Sequence, residues 1–178
     1  MLSTTETISV FHINHQSSQL EYPEKFLRFA INSTTEGLLP LGALQEVCPL
    51  ELHNILPVPE INQSILGIIN WRGKSTWIVD LGNLWGECHW CQKETIRESG
   101  MALLVPGKEQ TIGLLIEEIK TVEIYNPQEC LPVPETMFSQ ELSAIAKGYS
   151  LNSSGKTWVF LDIDSIMQTI DSFLINKD

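Results

Sequence analysis

GIINWRGKSTWIVDLG, residues 67 to 82, decides how the rest of the chain is read. Two apolar runs, Gly67–Ile69 and Trp77–Val79, flank a polar centre of Asn70, Arg72, Gly73 and Lys74. An arginine and a glycine in the middle of core-strand sequence make a turn between two strands, or a binding corner that the strands present. Gly73 supplies a permissive backbone there, and Asn70 can hydrogen-bond locally within a turn.

The stretch has an echo. GKSTWIVD (73–80) aligns without a gap on GKTWVFLD (155–162), and LPVPE stands at both 56–60 and 131–135. EGLLPLGALQEV, upstream, has a looser counterpart in TIGLLIEEIKTVEI. Short apolar segments, LGNLW and IDSIM, follow the two GK stretches, and these four features in one order indicate a duplicated unit of roughly 75 residues. The alignment sets Trp77 opposite Val159 and Trp158 opposite Thr76. Side chains alternate along a strand, so the two tryptophans are expected on opposite faces of equivalent strands.

The remaining chain reads as short strands with frequent turns. KFLRFAI (25–31), the broken run 37–47, MALLVP (101–106) and 111–125 are strand-like. Pro40 and Gly42 mark an edge or bend. Residues 52–63, with two prolines two apart, read as loop. A short helix is expected at 81–86. DIDSIMQTIDSFLI (162–175) spaces its apolar residues as an amphipathic closing helix. Residues 1–24 read as a mobile tail. The expected fold is all-β with a few short helices: two packed five-stranded barrels within 25–170, about 25–86 and 101–162, with strands open to exchange between them. Closing a sheet removes its edges.

Composition narrows the function. The 178 residues carry a net charge of −11, which disfavours nucleic acid and anionic membrane surfaces. No basic, apolar leader opens the chain, and no apolar run approaches the ~20 residues of a spanning helix. The expectation is a cytoplasmic protein without membrane insertion. Four cysteines, at 48, 88, 91 and 130, do not make a disulfide framework. Cys88-His89-Trp90-Cys91 is the one close pair. It lacks the second pair that a structural zinc site needs, so Cys88, His89 and Cys91 are weak metal candidates and no cofactor is expected. His12, His15, His53 and His89 fall in tail, loop or connector, and no nucleophile motif or phosphate-cradling glycine loop is present. Nothing here reads as an enzyme.

Gly67, Ile69, Asn70, Arg72 and Gly73, followed by Val79, Asp80 and Leu81, form G-x-I-N-x-R-G…V-D-L. With Gly113, Ile116 and Glu117, and the ending IAKG…WVFLDIDSIM, the chain resembles CheW-type coupling proteins of bacterial chemosensory systems. Trp77 replaces the family's usual proline and Trp71 a common leucine. LPVPE and the Gln/Asn-rich style are similar to cyanobacterial members serving phototaxis or twitching motility.

The resemblance implies two SH3-like barrels and a non-catalytic adaptor. Its implied partners are the cytoplasmic tip of a methyl-accepting receptor and the regulatory domain of a CheA-type histidine kinase. It also implies that Arg72 and Gly73 present a partner-binding corner together with an acid on an earlier strand, here Glu46 in LQEV. Asn70 holds the turn. Leu44, sharing the strand face of Glu46, and Val47 are candidates for apolar contact. Asp80 and Asp162 read as helix N-caps. The competing reading is a thiol- or metal-dependent sensor centred on Cys88 and Cys91.

Overall fold

The computed structural model describes residues 23–86, 98–134 and 136–175. Ten strands and three helices follow in order: β1 (Glu24–Ala30), β2 (Thr35–Pro40), β3 (Glu46–Glu51), β4 (Ile65–Trp71), β5 (Lys74–Asp80), α1 (Leu81–Leu84), β6 (Ser99–Pro106), β7 (Thr111–Ile116), β8 (Ile119–Tyr125), α2 (Gln140–Ile145), β9 (Ala146–Leu151), β10 (Thr157–Leu161) and α3 (Ile163–Ile175). The strands form two five-stranded sheets, as the all-β reading expects. One runs β8-β1-β2-β10-β9, the other β3-β6-β7-β5-β4.

Those orders are one order written twice. Within each copy of the repeat, β1–β5 or β6–β10, the first two strands join one sheet and the last three join the other. Each sheet therefore draws strands from both halves of the chain. Where the copies meet, the contact is parallel in both sheets, β2 with β10 and β5 with β7. All other ladders are antiparallel.

Each sheet is covered on both faces, and the alternation along β6 shows how. Leu103 and Val105 join a large shared cluster with Leu27, Leu39, Leu114, Val159, Leu161 and the α3 residues Ile166 and Ile170. Ala102 and Leu104 face the other way, into a smaller cluster with Leu50, Ile69, Ile78 and Leu115. The first sheet has a matching small cluster of Phe26, Leu38 and Phe160. Burial on both faces explains why MALLVP is a continuous apolar run instead of an alternating one. Trp77 packs against the shared cluster and Trp158 against the small cluster of its sheet, on opposite faces as the alignment requires.

The two LPVPE segments occupy equivalent places. Leu56 makes an isolated bridge to Ile68 of β4, and Leu131 makes the same bridge to Tyr149 of β9. Ile68 pairs with Trp77, and Tyr149 with Val159. The close approach depends on glycine in both copies. A Cβ on Gly67 would lie 2.1 Å from the Leu56 carbonyl oxygen, and one on Gly148 2.9 Å from that of Leu131.

One element was not expected, α2. Leu56 and Leu131 stand 75 apart in the chain, but Ile68 and Tyr149 stand 81 apart. The six extra residues equal the length of α2, so the second copy carries a helix that the first lacks. Ser139 caps it, accepting the Leu142 N–H at 3.1 Å.

Candidate functional site

The corner of the opening stretch is the β4–β5 hairpin. Trp71 pairs with Lys74, leaving Arg72-Gly73 as a two-residue loop. Both residues have positive φ, 49° and 81°, as a twist-matched primed turn requires. Gly73 takes that conformation freely; its need is conformational, since nothing lies within 4 Å of an added Cβ. Arg72 takes it at a cost. The Asn70 side chain accepts the Gly73 N–H at 2.8 Å and closes the turn.

Arg72 does not extend freely into solvent. Its Nη2 donates to Glu46 Oε2 at 2.7 Å, and its guanidinium lies 4.9 Å from the centre of the Trp71 ring. Glu46 opens β3, an edge strand, opposite Leu104 of β6. The arginine side chain is 69 % exposed and the glutamate 31 %. A pair this exposed contributes about 0.5 kcal/mol to stability, so it orients the corner more than it holds the fold. Cys48, two residues along the strand, belongs to the same neighbourhood. Burial pushes its thiol up, the Glu46 carboxylate adds to the shift, and Arg72 opposes it.

The second copy turns through a longer loop, residues 152–156 between the paired Leu151 and Thr157, and lacks the pair. Asn152 and Gly155 stand where Asn70 and Gly73 do, and Gly155 again has positive φ, 79°. The Asn152 side chain accepts the N–H groups of Ser154 and Lys156 at 3.0 and 2.9 Å. Ser154 replaces Arg72, and among the described residues only Glu60 and Arg72 are non-glycines with positive φ. The register of β3 on β6 and of β8 on β1 sets Thr121 in the place of Glu46. The asparagine and the positive-φ glycine are thus common to both copies, whereas the two-residue turn, the strained arginine and its acid belong to one.

One candidate, Leu44, sits differently from expectation. Leu44 does not share the strand of Glu46. A 3-10 turn at Leu41–Ala43 follows Pro40, the Leu44 N–H bonds back to the Leu41 carbonyl, and the strand starts only at Glu46. Leu44 and Val47 are half-buried and pack against the shared cluster. Asp80 caps α1 by accepting the Asn83 N–H at 3.3 Å. Asp162, at the start of α3, takes the Ser165 hydroxyl at 2.6 Å.

Sequence reasoning missed Val122 and Ile124. They lie on β8, the edge of the first sheet, and are 45 % and 68 % exposed. Val122 occupies the place that Val47 holds in the other sheet. The repeat alignment carried that signal once extended through the β3 and β8 strands.

Cys88, His89 and Cys91 lie outside the described residues, as do His12 and His15. Among the described residues no group of three His, Cys, Asp or Glu could hold a metal, and Cys48 and Cys130 are free thiols. No described helix is long and apolar enough to cross a membrane.

Comparison with known proteins agrees with this geometry. Curated protein sequences return no significant match. Among solved structures, the fold is similar to the scaffolding protein TtCheW from Thermoanaerobacter tengcongensis. The TM-score is 0.64 at 21 % identity, over 84 % of this chain and 90 % of that one. A family model, the CheW-like domain, matches residues 25–171. The duplicated fold, the hairpin corner and that match together make this chain a member of the CheW-like domain family.

Proposed function

We propose that the chain is a non-catalytic cytoplasmic adaptor. It couples the cytoplasmic tip of a methyl-accepting receptor, for chemical or light stimuli, to the regulatory domain of a CheA-type histidine kinase. The partner-binding corner consists of Glu46, Asn70, Arg72 and Gly73, with Leu44 and Val47 as apolar support beneath it. Family membership supports the class of function. One observation carries the site: Arg72 is held at φ 49° in an exposed two-residue turn and paired with Glu46. Backbone strain persists where surrounding structure over-determines it, and it concentrates at working sites.

The exposure of the pair suits this role. A charged pair left half in water costs little to present and becomes strong when a partner excludes the water. The exposed Val122 and Ile124 offer apolar area for the same class of contact. The test is calorimetric titration of the kinase regulatory domain, then of receptor-tip peptide, into wild-type chain and into Arg72→Ala and Glu46→Ala. Both variants are expected to bind at least about tenfold more weakly while remaining folded. Normal binding by both would reduce the corner to a turn.

A further inference from the structure

The Arg72–Glu46 pair spans a seam between strands. Glu46 opens β3 and Arg72 follows β4, and these are the two edge strands of their sheet, with β6, β7 and β5 between them. Among the described residues no backbone ladder joins β3 to β4. The guanidinium donates there to one side chain, Glu46 at 2.7 Å, and the arginine side chain is 69 % exposed. An exposed arginine with one hydrogen bond ordinarily samples many rotamers.

The preceding residue supplies a brace. Ile69 and Trp71, two apart on β4, border the same small cluster as Cys48 and Leu50, two apart on β3. Side chains alternate along a strand, so Glu46 shares that face with Cys48. The Trp71 indole is half-buried against the cluster and keeps part of its surface for a cation. The Arg72 guanidinium lies over the ring, 4.9 Å from its centre, within the reach of a cation–π contact. A planar guanidinium stacks on such a face as an ammonium does not. The second copy, aligned on Gly155, has Ser153 and Ser154 there, and Thr121 in the place of the acid.

We propose that Trp71 is the positioning residue of the corner. Its ring holds the Arg72 guanidinium opposite Glu46 across the seam. The cation is then in place before a partner arrives, and less side-chain freedom is lost on binding. The use of that order rests on the adaptor reading; the positioning itself is a property of the free chain.

The test has two parts. In the labelled full chain, NMR reads the Arg72 Cδ protons, which the Trp71 ring current should place upfield of those of an unstacked arginine. Trp71→Leu, which keeps apolar bulk against the small cluster, should remove that displacement, and Trp71→Tyr should retain most of it. The methyl signals of Leu103 and Ile170, in the shared cluster, should stay unchanged and show that the fold is kept. The kinase regulatory domain is then titrated calorimetrically. Trp71→Leu should bind about two- to fivefold more weakly, as loss of an exposed cation–π contact predicts, and Trp71→Tyr close to wild type. In an Arg72→Asn background the same Trp71→Leu change should have no further effect. Arg72 protons without upfield displacement in wild type, or unmoved by Trp71→Leu, would overturn the proposal whether or not the kinase domain binds. So would Trp71→Leu that binds as wild type does, or that weakens binding equally with and without Arg72, since the indole would then act by itself. Displaced Arg72 protons in a wild-type chain that binds no kinase domain would support the positioning and overturn the adaptor reading alone.

Discussion

Arg72 carries the sharpest residue-scale argument, because its backbone and its side chain can be separated. Asparagine tolerates positive φ better than arginine does, yet cannot pair with Glu46. Arg72→Asn should therefore leave stability within about 1 kcal/mol of wild type, since the exposed ion pair contributes little and the turn is relieved. Thermal melting checks this. Loss of the fold would mean that the pair is structural. The glycines make a second residue-scale case. Gly67→Ala puts a Cβ 2.1 Å from a backbone oxygen, at φ 144°, and backbone cannot easily retreat. It should cost about 3 kcal/mol. Gly42→Ala, with nothing within 4 Å, should be neutral within about 0.5 kcal/mol by denaturant titration. The turn role of Gly73 was legible because a lone Arg-Gly step inside strand sequence has few other uses. The role of Gly67 was not. It depends on Leu56 returning to touch β4, which a strand pattern does not encode.

At the scale of elements, four strands of the first sheet are tied by charge. Glu36 of β2 is buried and meets Arg28 of β1 at 2.5 Å and Lys156, beside β10, at 2.8 Å. The Trp158 indole donates to it at 3.1 Å, and Arg28 also reaches Glu123 of β8 at 3.0 Å. Burial alone would push the Glu36 carboxyl up; Lys156, Arg28 and Trp158 together hold it below its ordinary value. A depressed folded-state pKa means stability that is present above the unfolded value and lost as pH falls through the folded one. Wild type should thus exceed Glu36→Gln in stability at neutral pH, and the difference should shrink once pH falls below the usual carboxylate range near ~4. A pH-independent difference would assign the effect to packing. The strands themselves were legible from alternation and turn residues. Helix α2 was not, because six residues with two buried positions give too little period to read.

The whole molecule is a duplication in which each sheet is built from both copies. Period-2 patterns reveal strands but not their partners, so the repeat could be read from LPVPE and the aligned GKSTWIVD and GKTWVFLD, while the exchange of strands was left open. The exchange has a physical consequence. A fragment of residues 23–97 keeps β1 and β2 but lacks β8, β9 and β10 of their sheet, and keeps β3, β4 and β5 without β6 and β7 between them. It should not fold alone, whereas mixing it with residues 98–178 should restore a native circular-dichroism spectrum. An independently folded fragment would show that each half closes its own sheet.

The proposed adaptor role rests on a corner that the fold tolerates and that we propose a partner uses. Calorimetric titration of the CheA-type kinase regulatory domain into wild type and Arg72→Asn, side by side, tests it most directly. The account predicts wild-type binding at or below ~10 μM, as expected of a standard-sized interface. It predicts at least about tenfold weaker binding by Arg72→Asn, with the melting temperature moved by no more than a few degrees. Wild type that fails to bind at tens of micromolar, or Arg72→Asn that binds as wild type does, would contradict it.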